Sequence, residues 1–289
     1  MATLGQWVVG ARPRTLPAAI APVVVGTGLA INAGSMHAGQ AGLALVVALA
    51  LQVGVNFAND YSDGIRGTDN MRVGPVRLVG QDLARPRAVR LAAFIAFGVA
   101  CLAGLALVFA TQTWWLLIVG VACVAAAWLY TGGPRPYGYH GLGEVFVLIF
   151  FGLVPVVGTF YVQSGTITLA AVIASVGVGT LACAVLVTNN LRDLPSDQQV
   201  GKHTLAVRLG EHRTRGLYVA CILATAIATI IVAVIISWLV LLALATFIIA
   251  PLRLILSGAT GPALIPALKQ TGLLVLIYGL GLGLLIALA

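Results

Sequence analysis

The distribution of charged side chains constrains this sequence more than any other feature. Five long apolar stretches contain no Asp, Glu, Lys or Arg, namely residues 15–59, 91–134, 145–191, 216–252 and 270–289. A helix that crosses about 30 Å of hydrocarbon needs about 20 residues. The first four stretches are each long enough for two crossings and the last for one. The sequence therefore predicts an all-α membrane protein with nine transmembrane helices.

Composition supports a membrane protein. Only 8% of the 289 residues are charged and 60% are hydrophobic, whereas a soluble domain has roughly 25% charged residues. We therefore predict one polytopic membrane domain over residues 1–289, with membrane lipid as its surroundings. The net charge of +8 is interpreted as the loop bias of a membrane protein, and no nucleic-acid partner is predicted.

The same pattern predicts topology. Each apolar stretch that is long enough for two crossings must contain a turn. These turns carry no Asp, Glu, Lys or Arg and fall near residues 34–40, 111–113, 163–168 and 237. Successive charged segments are thus an even number of crossings apart, which puts all 16 Lys and Arg residues on one side. The positive-inside rule makes that side cytoplasmic. We predict a protein of the cell membrane with a cytoplasmic N-terminus and active face, and a C-terminus outside.

Five of the eight acidic residues fall in two clusters. The first cluster, residues 56–69, follows the predicted second helix and contains Asn56, Asn59, Asp60, Asp63 and Asp69. Asp60 and Asp63 are three residues apart and share a helix face. The two asparagines extend that face one turn deeper into the membrane.

The second cluster, residues 189–197, follows the predicted sixth helix. It contains Asn190, Arg192, Asp193 and Asp197. The two aspartates are four residues apart and would share a helix face, but Pro195 lies between them. Because proline removes a helical hydrogen bond, we expect the helix to break or restart there.

Carboxylates at a membrane boundary are costly unless they are paired or bind a metal. With no His or Cys in either cluster, oxygen ligands indicate a hard cation, and Mg²⁺ fits best. Solvated loop acids that balance nearby arginines are the alternative interpretation. Arg66, Arg77, Arg192 and Lys202 accompany the clusters, and such cations together with Mg²⁺ form the usual clamp for a diphosphate.

A third polar segment, residues 130–144, is rich in Gly, Pro and Tyr. Its candidates are Tyr130, Arg135, Tyr137 and Glu144. The aromatic rings suit a pocket for an aromatic substrate or stabilise a carbocation through their faces. Glu144 also fits a simple helix N-terminal charge.

Taken together, the clusters resemble the UbiA superfamily of intramembrane prenyltransferases, which has nine helices and Asp motifs after the second and sixth. Four stretches resemble the branch that prenylates 1,4-dihydroxy-2-naphthoate in menaquinone biosynthesis, namely residues 12–17, 59–75, 131–144 and 189–206. The superfamily's first motif often has a third Asp where this chain has Gly67, with the acid at Asp69 instead. The role of Asp69 as a ligand therefore stays open.

The resemblance implies a polyprenyl diphosphate donor and two Mg²⁺ ions held by the acidic clusters. Its implied metal ligands are Asp60, Asp63, Asp193 and Asp197. Groups that would support the metals or bind the diphosphate are Asn56, Asn59, Asn190, Arg66, Arg135 and Lys202. Arg14, Arg77 and Arg135 are candidates for the carboxylate of the acceptor. The naphthoate ring would attack the allylic carbon and lose CO₂, giving a demethylmenaquinol.

Other functions stay open on the sequence alone. Another aromatic acceptor, such as 4-hydroxybenzoate, homogentisate or a haem vinyl group, would use the same donor site. A CDP-alcohol phosphotransferase would need Ala-Arg soon after Asp63-Gly64, where this chain has Ile65-Arg66. A transporter would place ionisable residues near mid-membrane, but only His37, in a predicted outer turn, interrupts the apolar stretches.

Overall fold

The computed structural model describes residues 2–68, 76–246 and 249–289. Across these ranges the chain is helical and contains no strand. Asp69, the fifth candidate metal ligand, lies outside the described residues.

Ten α-helices follow one another along the described part of the chain. They are α1 Leu4–Gly10, α2 Pro17–Asn32, α3 Ala38–Ile65, α4 Pro86–Thr111, α5 Leu116–Leu129, α6 Gly143–Ser164, α7 Leu169–Gln199, α8 Leu205–Ile235, α9 Ile249–Leu256 and α10 Ile265–Ala287. A π-helical turn at Ile149–Leu153 interrupts α6, and a 3-10 segment at Trp238–Thr246 precedes α9.

The described helices make this a multi-pass membrane protein. Six of them are long and apolar enough to cross a membrane, and two bent helix pairs raise the number of candidate spans to eight. Helix α5, with 14 residues, is shorter than the rest. The predicted count of nine is therefore not confirmed. The helix ends nevertheless fall at the charge-free turns that the sequence predicts, between α2 and α3, α4 and α5, and α6 and α7.

The helices pack in pairs, some between neighbours in sequence and one between the two ends of the chain. Helix α3 packs on α4, α7 packs on α8, and α2 packs on α10. The backbone N–H of His37, before α3, donates to Oε1 of Gln163 near the end of α6 at 3.2 Å. Two charge-free turns therefore meet at one end of the bundle, and the acidic ends of α3 and α7 lie at the other.

The expected break at Pro195 is wrong, because α7 continues through this proline to Gln199. Proline deprives only one carbonyl of its helical donor. The side chains of Asp193 and Asp197, on either side of it, are both buried. Both aspartates therefore belong to the same helix.

Helices α2 and α10 approach closely at a pair of glycines. A Cβ added at Gly28 would collide with the backbone carbonyl of Gly283. Because backbone atoms cannot turn aside, we expect Gly28→Ala to lower the free energy of unfolding by about 1–3 kcal/mol. The thermal midpoint in detergent measures this loss. Gly42→Ala on α3 is the control, since a Cβ there meets no atom within 4 Å, and equal midpoints for the two variants would contradict the prediction.

Candidate active site

The two acidic clusters meet at Lys202, which follows α7. Its Nζ lies 3.3 Å from Oδ2 of Asp63 at the end of α3, and its backbone N–H donates to the carbonyl oxygen of Asp197 at 2.9 Å. Asp63 is 3% exposed and Lys202 is 5% exposed, so this ion pair is largely shielded from solvent. Residues more than a hundred positions apart thus form one site.

Tyr139 completes this ion pair. Its hydroxyl donates to Oδ1 of Asp63 at 2.5 Å, and its ring centroid lies 4.6 Å from Nζ of Lys202. Burial, and then the neighbouring Asp63 carboxylate, raise the pKa of Tyr139. The phenol therefore stays protonated and remains a donor at neutral pH. Sequence reasoning missed Tyr139, although the Tyr-rich loop around it was a signal.

Asp60 is fully buried and faces the protein backbone. Its two carboxylate oxygens accept hydrogen bonds from the backbone N–H groups of Leu78 at 2.8 Å and Val79 at 3.0 Å. These bonds hold the chain after the first cluster against the end of α3. Asp60 thus fixes the position of this part of the chain beside the site.

Asp193 binds its neighbour in sequence. Nε and Nη2 of Arg192 donate to the two oxygens of Asp193, each at 2.7 Å. The same guanidinium donates to Oδ1 of Asn189 at 2.8 Å. These three hydrogen bonds hold the Arg192 guanidinium against the end of α7.

The third segment docks on both clusters. The Thr131 hydroxyl donates to Oδ1 of Asn59 at 2.8 Å, and the Arg66 guanidinium donates to the carbonyl oxygens of Thr131 and Gly133. On the other side, Nδ2 of Asn190 donates to Oε1 of Glu144 at 3.0 Å. The segment therefore fixes the orientation of two asparagine amides at the site.

A cavity of about 2010 Å³ opens at these clusters and extends among apolar side chains. Its wall includes most of the predicted site residues, namely Arg14, Asn56, Asn59, Asp63, Arg77, Tyr130, Tyr137, Asn190, Arg192, Asp197 and Lys202. Five other described candidates lie outside the wall, namely Asp60, Arg66, Arg135, Glu144 and Asp193. Arg135 is exposed, and the other four contact the residues that form the wall or the loops behind it.

Three aromatic rings pack together on one side of the cavity. The ring of Tyr137 lies 3.8 Å from that of Phe146 and 5.5 Å from that of Tyr130, measured between centroids. The Tyr137 hydroxyl donates to the carbonyl oxygen of Ala126 at 2.9 Å. All three residues line the cavity, so this aromatic cluster forms part of its wall.

Two carboxylates at the polar end of the cavity lie at the negative ends of helices. Asp63 and Asp197 each lie in the last turn of a long helix, where the helix dipole is negative. Within the described ranges, no three His, Cys, Asp or Glu side chains are close enough together to hold a metal ion. The donors that do line the cavity there are carboxylate and amide oxygens. Such donors suit Mg²⁺, which needs only one or two carboxylates together with waters and phosphate oxygens.

Comparison with known proteins agrees with this architecture. A relative from Mycobacterium leprae, named 1,4-dihydroxy-2-naphthoate octaprenyltransferase, is 50% identical over 97% of this chain and 95% of its own length. A relative of the same name from Escherichia coli K12 is 40% identical over 92% of this chain and 89% of its own length.

A solved structure extends the likeness to the fold. The UbiA homolog from Archaeoglobus fulgidus bound to DMAPP and Mg²⁺ superposes with a TM-score of 0.71 at 15% identity, covering 98% of this chain and all of that one. The model of the UbiA prenyltransferase family matches residues 19–260. The chain therefore belongs to the UbiA prenyltransferase family.

Proposed function

We propose that this protein transfers a polyprenyl group from a polyprenyl diphosphate to 1,4-dihydroxy-2-naphthoate, with loss of CO₂, to give a demethylmenaquinol. The contact between Lys202 and Asp63 carries the proposal, because it brings both acidic clusters to one cavity. The names of the relatives at 50% and 40% identity support the acceptor.

The polar end of the cavity is the proposed diphosphate site. Asp63 and Asp197 would hold Mg²⁺, with Asn59 and Asn190 beside them in the wall. Asp60 and Asp193 lie behind the cavity wall, where Asp60 accepts hydrogen bonds from backbone amides and Asp193 accepts them from Arg192. Both remain proposed Mg²⁺ ligands. Asp69 lies outside the described residues. When bound, Mg²⁺ supplies positive charge that stabilises the departing diphosphate.

The protein's own cations act at the same place. Lys202 and Arg192 both line the cavity and are held there by carboxylates. A diphosphate at this end would meet their charge as the bond between its oxygen and the allylic carbon breaks. The buried setting strengthens these interactions relative to water.

The remainder of the cavity suits the other reacting parts. Its apolar wall accommodates a prenyl tail by burying hydrocarbon. The rings of Tyr137 and Phe146, which line the cavity, would stabilise positive charge on the allylic carbon, which the electron-rich naphthoate ring attacks. Arg14 and Arg77 line the cavity and are favoured for the acceptor carboxylate over Arg135, which is exposed.

We also propose that α5 is a ninth crossing. Its 14 residues span about 21 Å, and the turns at residues 113–118 extend it at its beginning. The N-terminus and the acidic clusters would then lie on the cytoplasmic side and the C-terminus outside, in keeping with the positive-inside rule.

Turnover by purified protein tests the proposal. Labelled polyprenyl diphosphate is supplied with Mg²⁺ and one acceptor from a panel of 1,4-dihydroxy-2-naphthoate, 4-hydroxybenzoate and homogentisate. We expect labelled product with the naphthoate alone, with one CO₂ released per product, and no turnover when EDTA replaces Mg²⁺. Turnover of another acceptor at an equal rate, or full activity in EDTA, would contradict it. Counterflow of a substrate in liposomes without product would instead indicate a transporter.

A further inference from the structure

Tyr139 contacts both partners of the ion pair at the polar end of the cavity, yet the proposed reaction gives it no role. Its hydroxyl lies 2.5 Å from Oδ1 of Asp63, and its ring centroid lies 4.6 Å from Nζ of Lys202. All three residues line the cavity. One side chain can therefore influence both the carboxylate that would bind Mg²⁺ and the cation that would meet the diphosphate.

The backbone holds Tyr139 from two directions. Its carbonyl oxygen accepts a hydrogen bond from the N–H of His203, the residue after Lys202, at 3.0 Å. On the other side, the N–H of Gly138 donates to the carbonyl oxygen of Tyr130 at 3.0 Å, and a Cβ added at Gly138 would lie only 2.7 Å from that oxygen. The third polar segment and the chain after α7 thus place the Tyr139 ring together.

The hydroxyl of Tyr139 acts on one oxygen of the carboxylate. An ionised carboxylate only accepts hydrogen bonds, so the phenol is the donor. The bond engages Oδ1 of Asp63, whereas Oδ2 lies 3.3 Å from Nζ of Lys202. The two oxygens have different partners, which fixes the rotation of the carboxylate and turns Oδ2 toward the cation. Partners that orient a metal-binding side chain in this way contribute about 10- to 100-fold to metal affinity.

The ring of Tyr139 acts on the ammonium group. A cation is attracted to the face of an aromatic ring, and more strongly where water is excluded, as it is around the buried Lys202. Lysine carries its charge on a flexible four-carbon stem, so contact with the ring limits the positions that Nζ can take. A diphosphate would then meet a cation that is already in place, which lowers the entropic cost of binding.

We propose that Tyr139 is a positioning residue with two separable roles: its hydroxyl orients the Asp63 carboxylate for Mg²⁺, and its ring holds Lys202 for the diphosphate. The inference rests on the proposed function, which supplies the metal and the diphosphate. A side chain that merely filled space would not show this division, because its hydroxyl and its ring would both contribute to the stability of the fold alone.

Two substitutions separate the roles without requiring turnover. Tyr139→Phe removes the hydroxyl and keeps the ring, and Tyr139→Leu removes both. Electron paramagnetic resonance measures Mn²⁺ binding to donor-free protein, and calorimetry in EDTA measures binding of a prenyl thiodiphosphate, an analogue that does not ionise. We expect Tyr139→Phe to weaken Mn²⁺ binding about 10-fold and to leave the affinity for the analogue unchanged. Tyr139→Leu should weaken both, the second by about 3- to 30-fold.

Tyr137→Phe is the matched control. It removes a hydroxyl from the same segment, but one that donates to the carbonyl oxygen of Ala126, and its Mn²⁺ affinity should equal that of wild type. Wild-type Mn²⁺ affinity in Tyr139→Phe overturns the inference. So does an equal loss in Tyr137→Phe, or a loss of analogue affinity in Tyr139→Phe as large as that in Tyr139→Leu. Absence of Mn²⁺ binding to wild type would instead refute the metal site of the proposed function.

Discussion

Asp63→Asn is expected to lower kcat/KM for the polyprenyl diphosphate by about 10²–10³-fold, the usual cost of losing one electrostatic contact to a developing charge. The variant keeps the shape of the side chain and an oxygen that accepts from Tyr139. It loses the charge that pairs with Lys202 and that would bind Mg²⁺. Initial rates over a series of Mg²⁺ concentrations measure the effect, and we expect half-saturation to move to higher Mg²⁺.

Asp82→Asn makes the same chemical change outside the site. Asp82 is exposed and has a φ of 53°, a conformation that asparagine adopts readily. Its kcat/KM should equal that of wild type. Wild-type rates and Mg²⁺ dependence in Asp63→Asn would refute the role of this carboxylate. A thermal midpoint lowered in Asp63→Asn alone would assign the lost rate to folding.

The hairpin arrangement of the fold could be predicted from charge alone. The cost of placing a charge in hydrocarbon is so large that the charge-free stretches fix where helices cross. The ends of α2, α3, α6 and α7 agree with those stretches. The number of residues in α5 was less predictable, because an apolar stretch limits where a helix can lie but not where its last hydrogen bond forms.

The positions of the acidic clusters were predictable, but their partners were not. Spacing places Asp60 and Asp63 on one face of α3, yet only the fold shows that backbone amides cover Asp60 while Asp63 lines the cavity. The contact between Asp63 and Tyr139 joins residues far apart in sequence, and a single sequence has no pattern that encodes it. The prediction of a helix break at Pro195 was wrong for a related reason, because the helix continues through this proline despite its local preference.

Lys202 is the second residue with a large expected effect. It is one of two lysines in the chain, and its ammonium group joins the Asp63 carboxylate to the face of the Tyr139 ring. This positive charge is buried in the cavity wall, beside the negative ends of two helices. It is well placed to form an ion pair with a diphosphate oxygen when the donor binds. The affinity for the donor and the rate of its ionisation should both depend on this charge.

We therefore expect Lys202→Met, which keeps the length of the side chain, to raise KM for the polyprenyl diphosphate and lower kcat, with a combined loss on the order of 10²-fold. Lys202→Arg should recover only part of the loss, because a planar guanidinium does not fit the position of a compact ammonium. The control, Arg253→Met, removes a cation that is exposed on α9 and does not line the cavity, and should change both constants little. Steady-state kinetics with the acceptor at saturation separates these outcomes. A Lys202→Met enzyme with a normal KM for the donor and a normal kcat would show that the charge only pairs with Asp63 and takes no part in binding the diphosphate.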